Sequence, residues 1–200
     1  MADRLTLHDI VDQRAYERER AEFRRHVIDL KRKRRVGVGP FVTLVFENRD
    51  TIRFQIQEMA RVEKIITDEG IQTELDVYNP LIPEPGQVSA TLFIELVDKD
   101  QLMEWLPKLV GIETEIELRL GSSGGHRVRC KVDEAHLRQL TREETTASVH
   151  YVHFELEPDE VAAFAEGPVT LAVTHPAYPH EVELAEDTRA ELLADLRGET

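Results

Sequence analysis

Three histidines and two carboxylates stand out by type and spacing. His175-Pro-Ala-Tyr-Pro-His180-Glu181 puts two imidazoles and a carboxylate within seven residues. Upstream, Ser148-Val-His150-Tyr-Val-His-Phe-Glu-Leu156 alternates as a strand does, so Ser148, His150, Val152, Phe154 and Leu156 share one face. His150 therefore points where apolar side chains point. His175 leaves a strand just before a proline and His180 enters the next, so both can stand above the sheet end that His150 reaches. Neutral imidazoles with one carboxylate, Glu58 or Glu181, form a mixed nitrogen and oxygen set suited to zinc, iron or manganese. Without a metal, His150 could act as a general base in a small hydrolase or isomerase. The competing reading is structural: an inward histidine is commonly a hydrogen-bonded core residue, and the spacing is not a metal signature of the His-Glu-x-x-His kind. Gln55-Ile-Gln57-Glu58 either lines a pocket or is a solvated strand face.

A second chemical feature is basic. Arg24, Arg25 and the run Lys31-Arg-Lys-Arg-Arg35 offer an anion site, with Arg24, Arg25 and Arg35 as its contacts, or else a solvated helix end docked on an acidic body. Residues 1–35 carry 11 Lys and Arg against 7 Asp and Glu, and residues 36–200 carry 14 against 32, within an overall net charge of −14. The acidic body repels nucleic acid and anionic membranes, and no aromatic residues interleave with the basic ones. No nucleic-acid or membrane partner is expected. A protein partner or a second copy could dock through the basic helix. No apolar run approaches the ~18 residues a spanning helix needs, and Met1–Asp9 has no basic-then-apolar leader. Together with a single cysteine, Cys130, these features place the expected location in the cytoplasm.

The positioning elements follow from periodicity. Thr6 and Asp9 make a capping box before a short turn with Leu7, Ile10 and Val11 inward. Tyr16, Phe23, Val27 and Leu30 predict a helix over 13–34, stopped by Gly37, Gly39 and Pro40. Phe41–Glu47 and Thr51–Gln57 read as a hairpin around Asn48-Arg-Asp50. Glu58 and Met59 open a helix that Gly70 caps, and Ile71, Leu75 and Tyr78 add two more helical turns. Val88–Val97 is a strand and Asp98–Val110 a helix. Ile116–Leu120 and Val128–Val132 form a second hairpin around Gly121-Ser-Ser-Gly-Gly125, with Glu117 facing Arg129, Glu115 facing Lys131 and Cys130 inward. Residues 134–146 read as polar and partly helical. Thr145–Leu156 is a strand, Pro158 opens a helix over 159–165 that Gly167 closes, strands follow at Val169–Thr174 and Glu181–Leu184, and 186–197 is an amphipathic helix. The expected architecture is one α+β domain over 1–200: an N-terminal helical arm (1–35) and a body (36–200). The body holds a mostly antiparallel sheet of about six to eight strands, as a sandwich or partial barrel, and a C-terminal helix.

Five stretches together resemble a known family. They are Phe23-Arg-Arg-His-Val-Ile28 with the basic run after it, Phe54-Gln-Ile-Gln-Glu-Met59, Leu75-Asp-Val-Tyr-Asn-Pro-Leu-Ile-Pro83, Ser148-Val-His-Tyr151 and His175-Pro-Ala-Tyr-Pro-His-Glu181. The chain is similar over nearly its whole length to an uncharacterised bacterial family, a domain of unknown function whose genes often lie beside rubrerythrin and an iron–sulfur oxidoreductase subunit. The resemblance carries over no catalytic residue. It implies a link to redox or oxidative-stress metabolism, and so an accessory binding protein, with a bound transition metal as one form of it.

Overall fold

The computed structural model describes residues 4–121, 125–132 and 145–199. The Thr6–Asp9 box forms, with the Thr6 N–H donating to Asp9 Oδ2 at 2.8 Å. It heads a single 3-10 turn at Leu7–Asp9 that buries none of its own residues; Leu7 is exposed, and Leu5, ahead of the turn, is buried instead. Helix α1 spans Gln13–Arg34, capped by Asp12, whose side chain accepts the Ala15 N–H at 2.9 Å. Its last turn is basic, which complements the negative end of the helix dipole. Beyond it the chain does more than stop. Arg35–Val38 is a strand, β1, that turns at Gly39 into β2 (Val42–Glu47).

The predicted second strand of the first hairpin is a helix. Thr51–Gln57 lies inside α2 (Arg49–Glu63). Ile52, Phe54 and Ile56 fit a period of two, but Ile52, Ile56 and Ala60 also recur every fourth residue, and that face is the one buried. Asn48 decides between the two. Its side chain accepts the Thr51 N–H at 3.0 Å while Thr51 Oγ1 accepts the Asn48 N–H at 2.9 Å, and this box nucleates a helix. The helix ends at Lys64 in the left-handed conformation, not at Gly70, which falls in the first turn of α3 (Asp68–Tyr78).

The remaining elements are β3 (Gln87–Ile94), α4 (Lys99–Lys108), β4 (Ile116–Leu120), β5 (His126–Arg129), β6 (Lys131–Val132), β7 (Val149–Glu155), α5 (Pro158–Glu166), β8 (Val169–Val173), β9 (His180–Glu183) and α6 (Glu186–Arg197). The expectations for most of residues 134–146 and for the tip of the glycine-rich loop lie outside the described residues. Every strand pairing is antiparallel. Among the described residues, a five-stranded sheet runs β1-β2-β3-β7-β6 and a four-stranded sheet β5-β4-β8-β9. The fold is α+β, as expected, and the described residues hold nine strands, one above the expected range of about six to eight. The excess comes from β1 and from the β5/β6 split at Cys130. Glu117 does face Arg129. Glu115 does not face Lys131, because the strand changes sheets at Cys130. Lys131 lies opposite His153 and pairs with Glu155, and Arg129 reaches Glu115 at 3.5 Å instead. Burial pushes the Cys130 thiol up to about 11, so it is a packing residue at the crossover.

The two sheets enclose the main core. Leu44, Phe46, Leu92 and Phe154 of the larger sheet meet Leu118 and Leu171 of the smaller, with Leu192 of α6 closing one side. The outer face of the larger sheet is covered too. Its β2 is buried at every residue, and Leu5, Ile52, Ile56, Leu75, Leu81 and Ile82 form a second cluster against which Tyr151 of β7 packs. The first and last helices are joined by a buried ion pair. Arg34, wholly buried, donates from Nη1 to Asp195 Oδ2 at 2.6 Å and from Nη2 to Asp195 Oδ1 at 2.8 Å. Among the described residues, no helix is long and apolar enough to cross a membrane.

Candidate functional site

The structure places the predicted metal ligands in separate settings. His150 is inward, as its strand phase requires, and is buried in the main core. Its Nε2 lies 2.9 Å from the Ala147 carbonyl and 2.8 Å from Thr146 Oγ1. Since a carbonyl can only accept, Nε2 carries the proton. Burial holds the imidazole below its usual value, against the opposing pull of the Glu113 carboxylate. His175 is fully engaged with backbone: Nε2–H donates to the Val110 carbonyl at 3.2 Å and Nδ1 accepts the Ala177 N–H at 3.2 Å. His180 is exposed and stands edge-on to Tyr178, with ring centroids 4.4 Å apart. Glu181 pairs with Arg119. Glu58 lies between α1 and α2, where it accepts from Tyr16 Oη at 2.8 Å and Arg20 Nε at 2.7 Å. The Arg20 bond, outweighing burial and aided by Tyr16 and Arg61, brings its carboxyl down to about 2. Among the described residues, no cluster of three or more His, Cys, Asp and Glu is disposed to hold a metal ion.

The His175–Glu181 stretch has a visible structural task. Tyr178 Oη donates to the Val38 carbonyl at 2.9 Å and accepts from the Phe41 and Val42 N–H groups at 3.0 and 3.2 Å. One buried hydroxyl thus pins the β8–β9 loop to the β1–β2 turn and ties the two sheets. Gly39 makes this possible. Its φ is +72°, and a Cβ there would sit 2.6 Å from both Tyr178 Oη and the His180 ring.

The basic run is also largely paired within the chain. Lys33 meets Glu191 at 3.0 Å, Arg32 meets Asp29 at 3.0 Å, Arg34 holds Asp195, and Arg35 holds Glu95. Arg24 and Arg25 are exposed on α1, apart from Arg35. The three predicted anion contacts therefore do not form one cluster.

The structure assembles a different set of groups beneath the helices. On the outer face of the five-stranded sheet, β2, β3 and β7 present Glu47, Thr91, Phe93, Val149 and Tyr151. From above, α1, α2, the end of α3 and the 3-10 turn after it (Asn79–Leu81) bring Lys31, Ile52, Gln55, Tyr78 and Leu81. These residues bound a cleft of ≈ 380 Å³. Thr91 lies directly opposite Tyr151 across β3–β7, and its hydroxyl donates to Glu47 Oε1 at 2.7 Å. Glu47 is 6% exposed. The Tyr151 hydroxyl is pushed up to about 12, chiefly by burial and further by Tyr78 and Glu47. Lys31 stands at the rim, and neither it nor Glu47 has an ion-pair partner among the described residues. The cleft thus combines aromatic walls, a buried carboxylate and an ammonium, with the size and mixed lining of a small-molecule site.

Sequence reasoning reached Gln55 of this cleft, in the patch weighed as a pocket wall, and Lys31, within the basic run weighed as an anion site, and missed the rest. A signal was present. Val42–Glu47 has apolar residues in both strand phases, so a second layer had to cover its outer face, and Glu47 and Thr91 lie on that face. Four of the five stretches behind the family resemblance supply lining residues: Lys31, Gln55, Tyr78 with Leu81, and Val149 with Tyr151. The fifth is the Tyr178 clasp.

Comparison with known proteins agrees with that resemblance. A family model described as "Protein of unknown function (DUF3501)" matches residues 4–196. Among the curated proteins, none matches the chain. A crystal structure of a novel protein of unknown function from Burkholderia pseudomallei K96243 is similar at 37% identity, over 96% of this chain and 98% of that one, with a TM-score of 0.87.

Proposed function

Because the chain belongs to the DUF3501 family of proteins of unknown function, we propose its role from geometry: an accessory binding protein that holds a small organic ligand between the five-stranded sheet and the helices covering it. The observation that carries this reading is the ≈ 380 Å³ cleft, in which polar groups from six secondary-structure elements converge between apolar walls. A redox or oxidative-stress setting rests on the gene neighbourhood implied by the resemblance and is retained as context. The cleft supports an organic ligand more directly than the separated histidines support a metal. A docking role for the basic helix would fall mainly to Arg24 and Arg25, since Lys33, Arg34 and Arg35 already have carboxylate partners. A base role for His150 would require substrate to reach the main core.

The test is native mass spectrometry of untagged protein purified from a bacterial host, beside the cleft-filling change Val149→Trp. A small-molecule adduct on the wild type that is absent from a folded Val149→Trp protein is the expected result. An adduct retained in Val149→Trp would move the site elsewhere. If no adduct appears and no compound of a metabolite panel raises the wild-type melting temperature, the binding reading fails.

A further inference from the structure

Glu47 and Lys31 give the cleft an unusual charge arrangement. A carboxylate that is 6% exposed and opens only on a cleft favours a compensating charge or further donors there. Among the described residues, Glu47 receives one hydrogen bond, from the neutral Thr91 hydroxyl to Oε1. Its second oxygen accepts none from the described residues, although it belongs to a group lining open space. The basic run at the end of α1 offers cations, yet Arg32, Lys33, Arg34 and Arg35 each pair with a carboxylate. Lys31 alone of that run stands at the cleft rim, and it does not close on Glu47. The cleft therefore holds one charge of each sign, set apart and not neutralised by the other.

Resting on the binding role above, we infer that the ligand is a primary amine carrying a distal anionic group: its ammonium sits on Glu47 and its anion on Lys31. An ammonium supplies both the charge and the donors that Oε2 lacks. Tyr78, Tyr151 and Phe93 present ring surfaces, which favour a cation in a site shielded from water. An anion placed at that depth would meet the Glu47 charge. An inorganic cation would find one carboxylate and two tyrosine hydroxyls, not the set of ligands a bound metal takes. The volume admits a ligand with one ring or a short chain and is too small for a dinucleotide. Gln55 and the Thr91 hydroxyl can orient the middle of such a molecule.

Isothermal calorimetry with three matched probes tests the inference: 4-(aminomethyl)benzoate, benzylamine, which lacks the anion, and 4-methylbenzoate, which lacks the amine. On the wild type, the first should bind most tightly, benzylamine more weakly, and 4-methylbenzoate weakest. Glu47→Gln keeps an acceptor for Thr91 but removes the charge, and should weaken both amines about tenfold or more. Lys31→Gln, a change at the rim, should reduce 4-(aminomethyl)benzoate to the affinity of benzylamine and leave benzylamine unchanged. The inference is overturned if 4-methylbenzoate binds as well as the amines, if either substitution in a folded protein leaves the affinities as they were, or if no probe binds the wild type. Should Glu47→Gln not fold, the Lys31→Gln comparison still decides. A cleft-dependent adduct in the mass-spectrometric experiment, with all three probes failing, would remove the amine assignment and leave the binding role standing.

Discussion

The two faces of the five-stranded sheet are made by the same strands, both are buried, and they are used differently. Toward the smaller sheet, β2, β3 and β7 present Leu44, Phe46, Leu92, Val152 and Phe154, and the one histidine among them, His150, is held by Thr146 and Ala147. Toward the helices they present Thr43, Glu47, Ser89, Thr91 and Tyr151, polar groups in an environment almost as dry. On the inner face, polarity is balanced locally. On the outer face it is left open: among the described residues, Glu47 accepts at one oxygen and Lys31 has no counter-ion. The comparison teaches that a polar residue on a core-facing strand is not by itself a site. What distinguishes a site is space beside the group and a hydrogen-bonding requirement that its neighbours do not meet.

The largest effect expected from this contrast is on the inner face. Phe154→Ala should lower stability by about 3–5 kcal/mol through lost burial and a cavity, measured by urea unfolding, with probe affinity unchanged in the folded fraction. A large loss of affinity at native conditions would mean that the two faces are coupled. His150→Ala should destabilise by about 1–3 kcal/mol, because it removes a buried donor and leaves its acceptors unmatched, again without a change in binding. If the variant is as stable as the wild type but loses a ligand, His150 belongs to a site after all. On the outer face the pattern should invert. Glu47→Gln should change stability by less than about 1 kcal/mol without ligand while weakening amine binding.

Acid titration sharpens the same comparison. His150 is held below its unfolded value of 6.5 by burial, so the unfolded chain takes up a proton first. Its contribution to stability is present above about pH 6.5 and is lost as pH falls toward the lower folded value. His150→Phe, if it folds, should flatten the stability profile below pH 6.5. A second acid step belongs to Glu58. Its carboxyl is lowered from 4.5 to about 2, chiefly by the Arg20 bond, so its contribution is present above about pH 4.5 and fades between there and pH 2. Glu58→Gln should remove that part of the acid dependence and leave the cleft unaffected. Unfolding curves collected at stepped pH values would resolve both.

Much of the scaffold could be read in advance. The bounds of α1 and α6, the Thr6–Asp9 box, the Glu117–Arg129 register and the inward phase of His150 all follow from local rules of period and capping. Local rules failed where two periods fit the same residues. Ile52, Phe54 and Ile56 satisfy both, and the Asn48–Thr51 box carried the decision. They failed again at Cys130, where a strand with unbroken alternation changes sheets, since alternation says which face a residue takes but not which partner strand it meets. The site was the least legible part. Histidines draw attention by chemical type, whereas Glu47 reads as the polar end of an apolar strand. Its importance depends on Lys31, Gln55 and Tyr78 being laid over it by three separate helices, which strand alternation does not foretell.

The Arg34–Asp195 pair bears on the order in which the chain is built. Its partners are separated by 161 positions, so α1 leaves the ribosome long before the helix that neutralises its buried guanidinium exists. Until then Arg34 has no reason to leave water, and the helix that carries Lys31 and covers the outer face of the sheet cannot seat fully. Sheet pairing can proceed, since β1–β2 is a local hairpin and β3 and β7 also precede α6 in the chain, but closure waits for the final segment. The cleft is therefore among the last features of the molecule to form, and a ribosome-stalled chain lacking residues 186–197 would hold paired strands without the cleft.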